Sequence, residues 1–198
     1  MRTDYVKPRV YLKIYPLMQY ENALALRLSL ETGLRIGDVL ALETQHFKGR
    51  TIRYTASKTG KAGKKVISAD LAKRLHQIEG EQWLFVGRFG DKPRTRAAVY
   101  KDLKKAVATL GIKENVSCHS ARKTYAVELN HERGFGAVQK ELQHSRADTT
   151  MLYAFADLLS EKNSPERRED IVEIVEMIRD IHRVLVGARG ASAQNNEL

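Results

Sequence analysis

The sequence predicts an α+β fold that is mainly α: a helical body carrying one small antiparallel β-sheet, followed by a separate C-terminal helix. Three observations lead there. Most of the chain divides into helical segments separated by glycine and proline signals. One stretch, residues 51–68, alternates β-formers and polar residues about a glycine-bearing turn. Ser164-Pro165 then opens a new amphipathic segment, with serine suited to the N-cap and proline to the first helical position.

Residues 17–30 are rich in Leu and Ala and form the first body helix. Gly33 ends it, because glycine accepts a positive φ without a Cβ penalty. Arg35 then falls on a short connection, and residues 36–41 begin another short helix. Thr51-Ile52-Arg53-Tyr54-Thr55 and Lys64-Lys65-Val66-Ile67-Ser68 are the two arms of a hairpin. Helices are expected at residues 69–78, from Pro93 to Leu110, at 120–130, at 137–142 and at 148–159, with a short apolar strand at 83–86. Gly134-Phe135-Gly136 separates two of those helices. In the tail, Ile171, Ile174, Val175, Ile178, Ile181 and Leu185 recur at helical spacing, and the composition beyond Gly187 is that of a frayed end. The division is therefore residues 1–160 as the body and 161–198 as the helix and tail.

With 198 residues, 42% hydrophobic and 29% charged, the composition is that of a folded globular chain. No apolar run approaches the ~20 residues that cross a bilayer, and the N-terminus carries no apolar signal core. The single cysteine, Cys118, cannot form an internal disulfide, which fits a reducing compartment. The net charge of +10 favours a polyanionic partner. Its excess is concentrated in two runs. Residues 48–65 hold seven Lys and Arg with no acid, and residues 88–105 hold seven against two aspartates. Lys61, Lys64, Arg94 and Arg96 in these runs are candidate DNA-phosphate contacts.

Between and beside these runs stand residues suited to phosphodiester chemistry. A phosphodiester is a poor electrophile because its anionic oxygens repel a nucleophile. Arg35 and Arg122 can offset that charge with forked donors that stay protonated. A tyrosine hydroxyl, with a pKa of ~10, is a nucleophile only when helped to lose its proton. Tyr153 stands nine residues after His144, and His119 precedes Arg122 by three. Either histidine suits that proton transfer. The leaving 5′ alkoxide needs a proton donor. Lys58 on the hairpin turn fits, with Lys61 and its lysine neighbours as alternatives. Asp38, three residues after Arg35, is placed to orient it. None of the histidines is spaced with Cys or Glu as zinc ligands are, so no metal or cofactor is expected.

Thr32-Gly33-Leu34-Arg35-Ile36-Gly37-Asp38, Lys58, His119-Ser120-Ala121-Arg122-Lys123-Thr124, Leu142-Gln143-His144-Ser145 and Tyr153 together resemble the catalytic boxes of the tyrosine recombinases, or phage integrase family. The resemblance runs from about residue 17 to 159. It implies a tyrosine-recombinase-like catalytic domain that cuts and rejoins DNA through a 3′-phosphotyrosine at Tyr153. Arg35 and Arg122 then bind the scissile phosphate, Lys58 is the general acid, and His119 and His144 assist. Gln143 stands where the family usually has glycine. About sixteen residues precede the first body helix, so the N-terminal DNA clamp of most members is not expected in this chain. The resemblance also implies a prokaryotic, cytoplasmic protein associated with the nucleoid, and self-assembly into a tetramer on paired DNA sites through the C-terminal helix. A type IB topoisomerase-like relaxer and a non-catalytic DNA-binding derivative are the competing readings.

Overall fold

Pro8 opens the first helix, α1 (Pro8–Ile14), where its missing donor and fixed φ cost little. A computed structural model describes residues 3–142, the side chain of Phe135 excepted. After α1 it runs through α2 (Tyr20–Thr32), α3 (Ile36–Leu40), strands β1 (Phe47–Lys48), β2 (Thr51–Thr55) and β3 (Ala62–Val66), then α4 (Ala69–His76), α5 (Arg96–Thr109) and α6 (Cys118–Glu141). The expected helices at 148–159 and in the tail lie outside the described residues, as do His144 and Tyr153.

The body is built round α2. Asn22, Ala23, Leu24, Ala25, Leu26, Leu28, Ser29 and Thr32 are all buried, so this helix is covered on nearly every side. It packs against α3, α4, α5 and α6. Leu26, Leu28, Leu71, Leu75, Phe85 and Leu103 form the fully buried centre of the core. Removing a large aliphatic side chain from such a site costs about 2–5 kcal/mol. A smaller apolar cluster, including Ala126, Val127, Leu129, Val138 and Leu142, sits along α6 with Tyr5 and Tyr125 against it.

The sheet is antiparallel in the order β1-β2-β3. β2 and β3 pair Thr51 with Val66, Arg53 with Lys64 and Tyr54 with Gly63. A Cβ on Gly63 would stand 2.5 Å from the Tyr54 ring, so glycine lets that ring cross the neighbouring strand.

Several elements differ from the sequence expectations. The second hairpin arm lies at 62–66, two residues earlier than expected, because the turn between the strands is tighter. The Gly60 amide donates to Ala56 O at 2.8 Å. Residues 83–86 are not a strand but make single bridges, Glu43 with Trp83 and Val86 with Pro93. Leu84 and Phe85 are apolar because they are core, yet the chain beside them is loop. The helices expected at 120–130 and 137–142 are both present as the two arms of α6, which is interrupted where expected, at Gly134, whose φ 76° and ψ 172° are not helical. α1 was not expected at all. Among the described residues no helix is long and apolar enough to cross a membrane.

Candidate active site

Buried hydroxyls shape the corner between α2 and α3. Gly33 takes φ 71° and caps α2. Ser29 Oγ donates to Leu34 O at 2.7 Å, and the Leu34 amide donates to Thr32 Oγ1 at 3.3 Å. These bonds hold the turn that delivers Arg35 to the start of α3. Arg35 Nη1 lies 3.8 Å from Asp38 Oδ2, one turn on in the same helix. Asp38 is buried, and its other oxygen accepts from the Ser57 amide at 3.1 Å and from Ser57 Oγ at 2.6 Å. One carboxylate therefore joins the Arg35 helix to the β2–β3 turn, in which Lys58 follows Ser57.

The other wall begins with α6. Ser117 caps it in a reciprocal pair: the His119 amide donates to Ser117 Oγ at 3.1 Å and the Ser117 amide to Ser120 Oγ at 3.0 Å. This fixes the first helical turn and with it His119. Arg122 follows one turn later and is buried. Its guanidinium donates to Gly33 O at 2.6 Å and to Leu142 O at 2.9 Å. It thus locks the α2–α3 corner to the end of α6. A Cβ on Gly33 would meet the Tyr125 ring at 2.3 Å, so only glycine permits this approach.

Lost hydration lowers the His119 pKa below its ordinary 6.5, and the positive charges of Arg122, Lys123, Arg35 and Arg96 lower it further. His119 is exposed in the cleft it lines, with those cations around it. It is therefore neutral near pH 7 and able to accept a proton. Burial pushes the neighbouring Cys118 thiol up to about 11, which leaves it unreactive.

Arg35, Asp38, Ser57, Arg96, His119 and Arg122 line one cleft of about 540 Å³. The structure thus brings together four residues singled out for chemistry, namely Arg35, Asp38, His119 and Arg122. Arg96, singled out as a general DNA contact, joins them. Ser57 was not foreseen, and its only signal in the sequence was adjacency to Lys58. Lys58 and Lys61 are exposed around the β2–β3 turn. Lys64 lines a neighbouring groove of about 640 Å³ with Arg53, His46 and Tyr54. Arg94 is held within the body. Its guanidinium donates to Asn22 Oδ1 at 3.0 Å and Gln19 Oε1 at 3.3 Å, and pairs with Glu21 at 3.4 Å.

A cleft with two converging arginines, a neutral histidine and a carboxylate-braced lysine turn is suited to binding a phosphodiester. The chain is also similar to known proteins in family and in fold. The model of the phage integrase family matches residues 5–158. The chain is 28% identical over 134 residues to the probable integrase/recombinase YoeC of Bacillus subtilis (strain 168), covering 65% of this chain and 74% of YoeC. It is 29% identical over 154 residues to the tyrosine recombinase XerC of Rhizobium meliloti (strain 1021), covering 72% of this chain and 48% of XerC. Among solved structures, a lambda integrase dimer bound to a COC' core site superposes with a TM-score of 0.65 at 20% identity, over 77% of this chain and 48% of that one. The catalytic domain of bacteriophage HP1 integrase gives 0.60 at 19%, over 87% of this chain and 95% of that domain. The structural likenesses show a tyrosine-recombinase catalytic-domain fold. The chain spans about half of XerC and of lambda integrase, and nearly all of the HP1 domain. With the family model covering most of its length, the chain belongs to the phage integrase family.

Proposed function

We propose that this chain is the catalytic domain of a site-specific DNA recombinase that cuts and rejoins duplex DNA through a covalent 3′-phosphotyrosine on Tyr153. The observation that carries this reading is the convergence of Arg35, Arg122 and His119 on one cleft, with Asp38 bracing the turn that bears Lys58.

The residues divide the work. Arg35 and Arg122 hold the scissile phosphate and offset the charge that builds on its oxygens in the transition state. Tyr153 Oη attacks phosphorus as its proton passes to a base, with neutral His119 one acceptor and His144 the other candidate. The bond from phosphorus to the 5′ oxygen breaks, and Lys58 Nζ gives that oxygen a proton. Attack by a DNA 5′ hydroxyl on the phosphotyrosine reverses the sequence and seals the strand without nucleotide hydrolysis. The phosphates around the site fall to Lys61, Lys64, Arg96 and Arg94, the last through the part of its guanidinium left exposed. Paired sites are joined by a tetramer whose contacts include the helix at 165–185, and the protein works on the nucleoid of a prokaryotic cell.

The test is capture on nicked duplexes covering the DNA on either side of the gene. A nick just 3′ of the cut releases a short fragment that diffuses away, so the phosphotyrosine accumulates. A DNA-linked band resistant to denaturant is expected. Sequence-selective binding without any such band would favour a non-catalytic derivative. Relaxation of supercoiled plasmid lacking the site would favour a topoisomerase-like relaxer.

A further inference from the structure

Arg96 is the first residue of α5, directly after its N-cap, where Thr95 Oγ1 accepts from the Ala98 amide at 3.2 Å. A cation is disfavoured there, because the helix N-terminus already carries partial positive charge. The first turn of α5 holds no acid to compensate. Arg96 is exposed and makes no hydrogen bond or ion pair with another described residue. Its neighbour Arg94, two residues earlier, is by contrast tied to Gln19, Asn22 and Glu21. Local preference and position thus conflict at Arg96, and such conflicts mark functional sites.

The cleft supplies the reason for a free cation. Arg96 lines it with Arg35, His119 and Arg122, and its charge is felt at His119. Arg122 is anchored to two main-chain carbonyls and Arg35 leans on Asp38, whereas Arg96, in the same cleft, is held by no such contact with a described residue. The cleft, of about 540 Å³, is larger than one phosphate group fills.

Resting on the recombinase reading, we infer that Arg96 is a third phosphate-binding guanidinium of this cleft, holding the DNA phosphate next to the one clamped by Arg35 and Arg122. The free guanidinium is the donor and the non-bridging oxygens of that second phosphate are the acceptors. Its role is to fix the register of the strand, so that the scissile phosphate and not its neighbour meets the nucleophile.

The experiment uses the full chain and a labelled 30-bp duplex of arbitrary sequence, with affinity read by anisotropy across a salt series. Each phosphate neutralised adds ~0.9 to the log–log slope. Arg96→Gln is expected to make the slope shallower by about that amount, while Arg96→Lys keeps it. Thermal unfolding of Arg96→Gln should be unchanged or slightly higher, since a cation leaves a helix N-terminus. The His119 ring, followed by NMR, should titrate at higher pH in Arg96→Gln. A steep wild-type slope that Arg96→Gln leaves unaltered overturns this inference alone. A flat wild-type slope overturns the DNA reading with it. A lower melting temperature together with an unmoved His119 titration makes Arg96 a structural residue and also overturns the inference.

Discussion

The two arginines of the cleft are held in different ways, and their substitutions should differ accordingly. Arg122 is buried against the carbonyls of Gly33 and Leu142. Arg122→Ala leaves both acceptors without their donor, at about 1–3 kcal/mol each. It should therefore unfold early in urea and also lose on the order of 100- to 1000-fold in cleavage rate. Arg35 is partly exposed and 3.8 Å from its carboxylate. Arg35→Ala should lose as much rate while costing less stability than Arg122→Ala, because the 3.8 Å pairing is long and Asp38 keeps its two bonds from Ser57. Equal stability losses in denaturant titrations would remove the distinction. His119 gives a second prediction. Its folded pKa lies below the ordinary value, chiefly through lost hydration. Between the two pKa values the unfolded chain binds more protons, so His119 makes stability fall as pH drops below about 6.5. His76 acts in the opposite sense, because Glu79 raises its pKa and its contribution is lost as pH rises through the folded value. His119→Gln should flatten the acid side of a melting-temperature profile and leave the His76 part intact. At this scale the sequence was informative about residue type and order: Arg35, Asp38, His119 and Arg122 do share a cleft. It was silent on Ser57, whose part depends on a 2.6 Å contact across nineteen residues of chain.

Among the elements, the corner between α2 and α3 is the least tolerant of change. Gly33 combines a left-handed backbone, a cap and close approach of Tyr125 and Leu142. Gly33→Ala should cost roughly 1–3 kcal/mol of backbone strain, and more if the Tyr125 ring has to move. Because Gly33 O accepts from Arg122, the same change should slow cleavage beyond what the stability loss explains. Wild-type cleavage rates at full stability loss would separate corner from site. The cap at Gly33 was legible because few residues but glycine follow a helix in that conformation. Strand positions were less so. Leu84 and Phe85 look like a strand because burial alone makes a short run apolar, and their neighbours are loops. The interruption of α6 at Gly134 was legible, because glycine takes the positive φ that ends one helical arm before the next begins. The first helix escaped notice because only Tyr11 and Ile14 of its seven residues are buried, too short a pattern to read.

For the whole molecule, the charge of +10 and the two basic runs set the expectation of a DNA partner, and family membership agrees with it. The folded body divides those cations between structure and surface: Arg94 is tied to α2, while Lys61, Lys64 and Arg96 stay exposed. Which cation went where depends on tertiary contacts and could not be read from a linear run of charge. Assembly is the remaining question at this scale. The stripe of Ile171, Ile174, Ile178, Ile181 and Leu185 needs a partner surface, since burying each such side chain contributes roughly 1.5–3 kcal/mol. Removing residues 164–198 should leave single-site binding within about two-fold and abolish paired complexes in native gels. Loss of single-site binding would place the helix on its own body instead. The proposal as a whole depends most on Tyr153. The direct measurement is peptide mapping of the protein trapped on a nicked suicide duplex, for the wild type beside Tyr153→Phe. A nucleotide-linked peptide containing Tyr153, with DNA binding retained but no adduct in Tyr153→Phe, is the expected result; an adduct that persists in Tyr153→Phe, or maps to another residue, would contradict it.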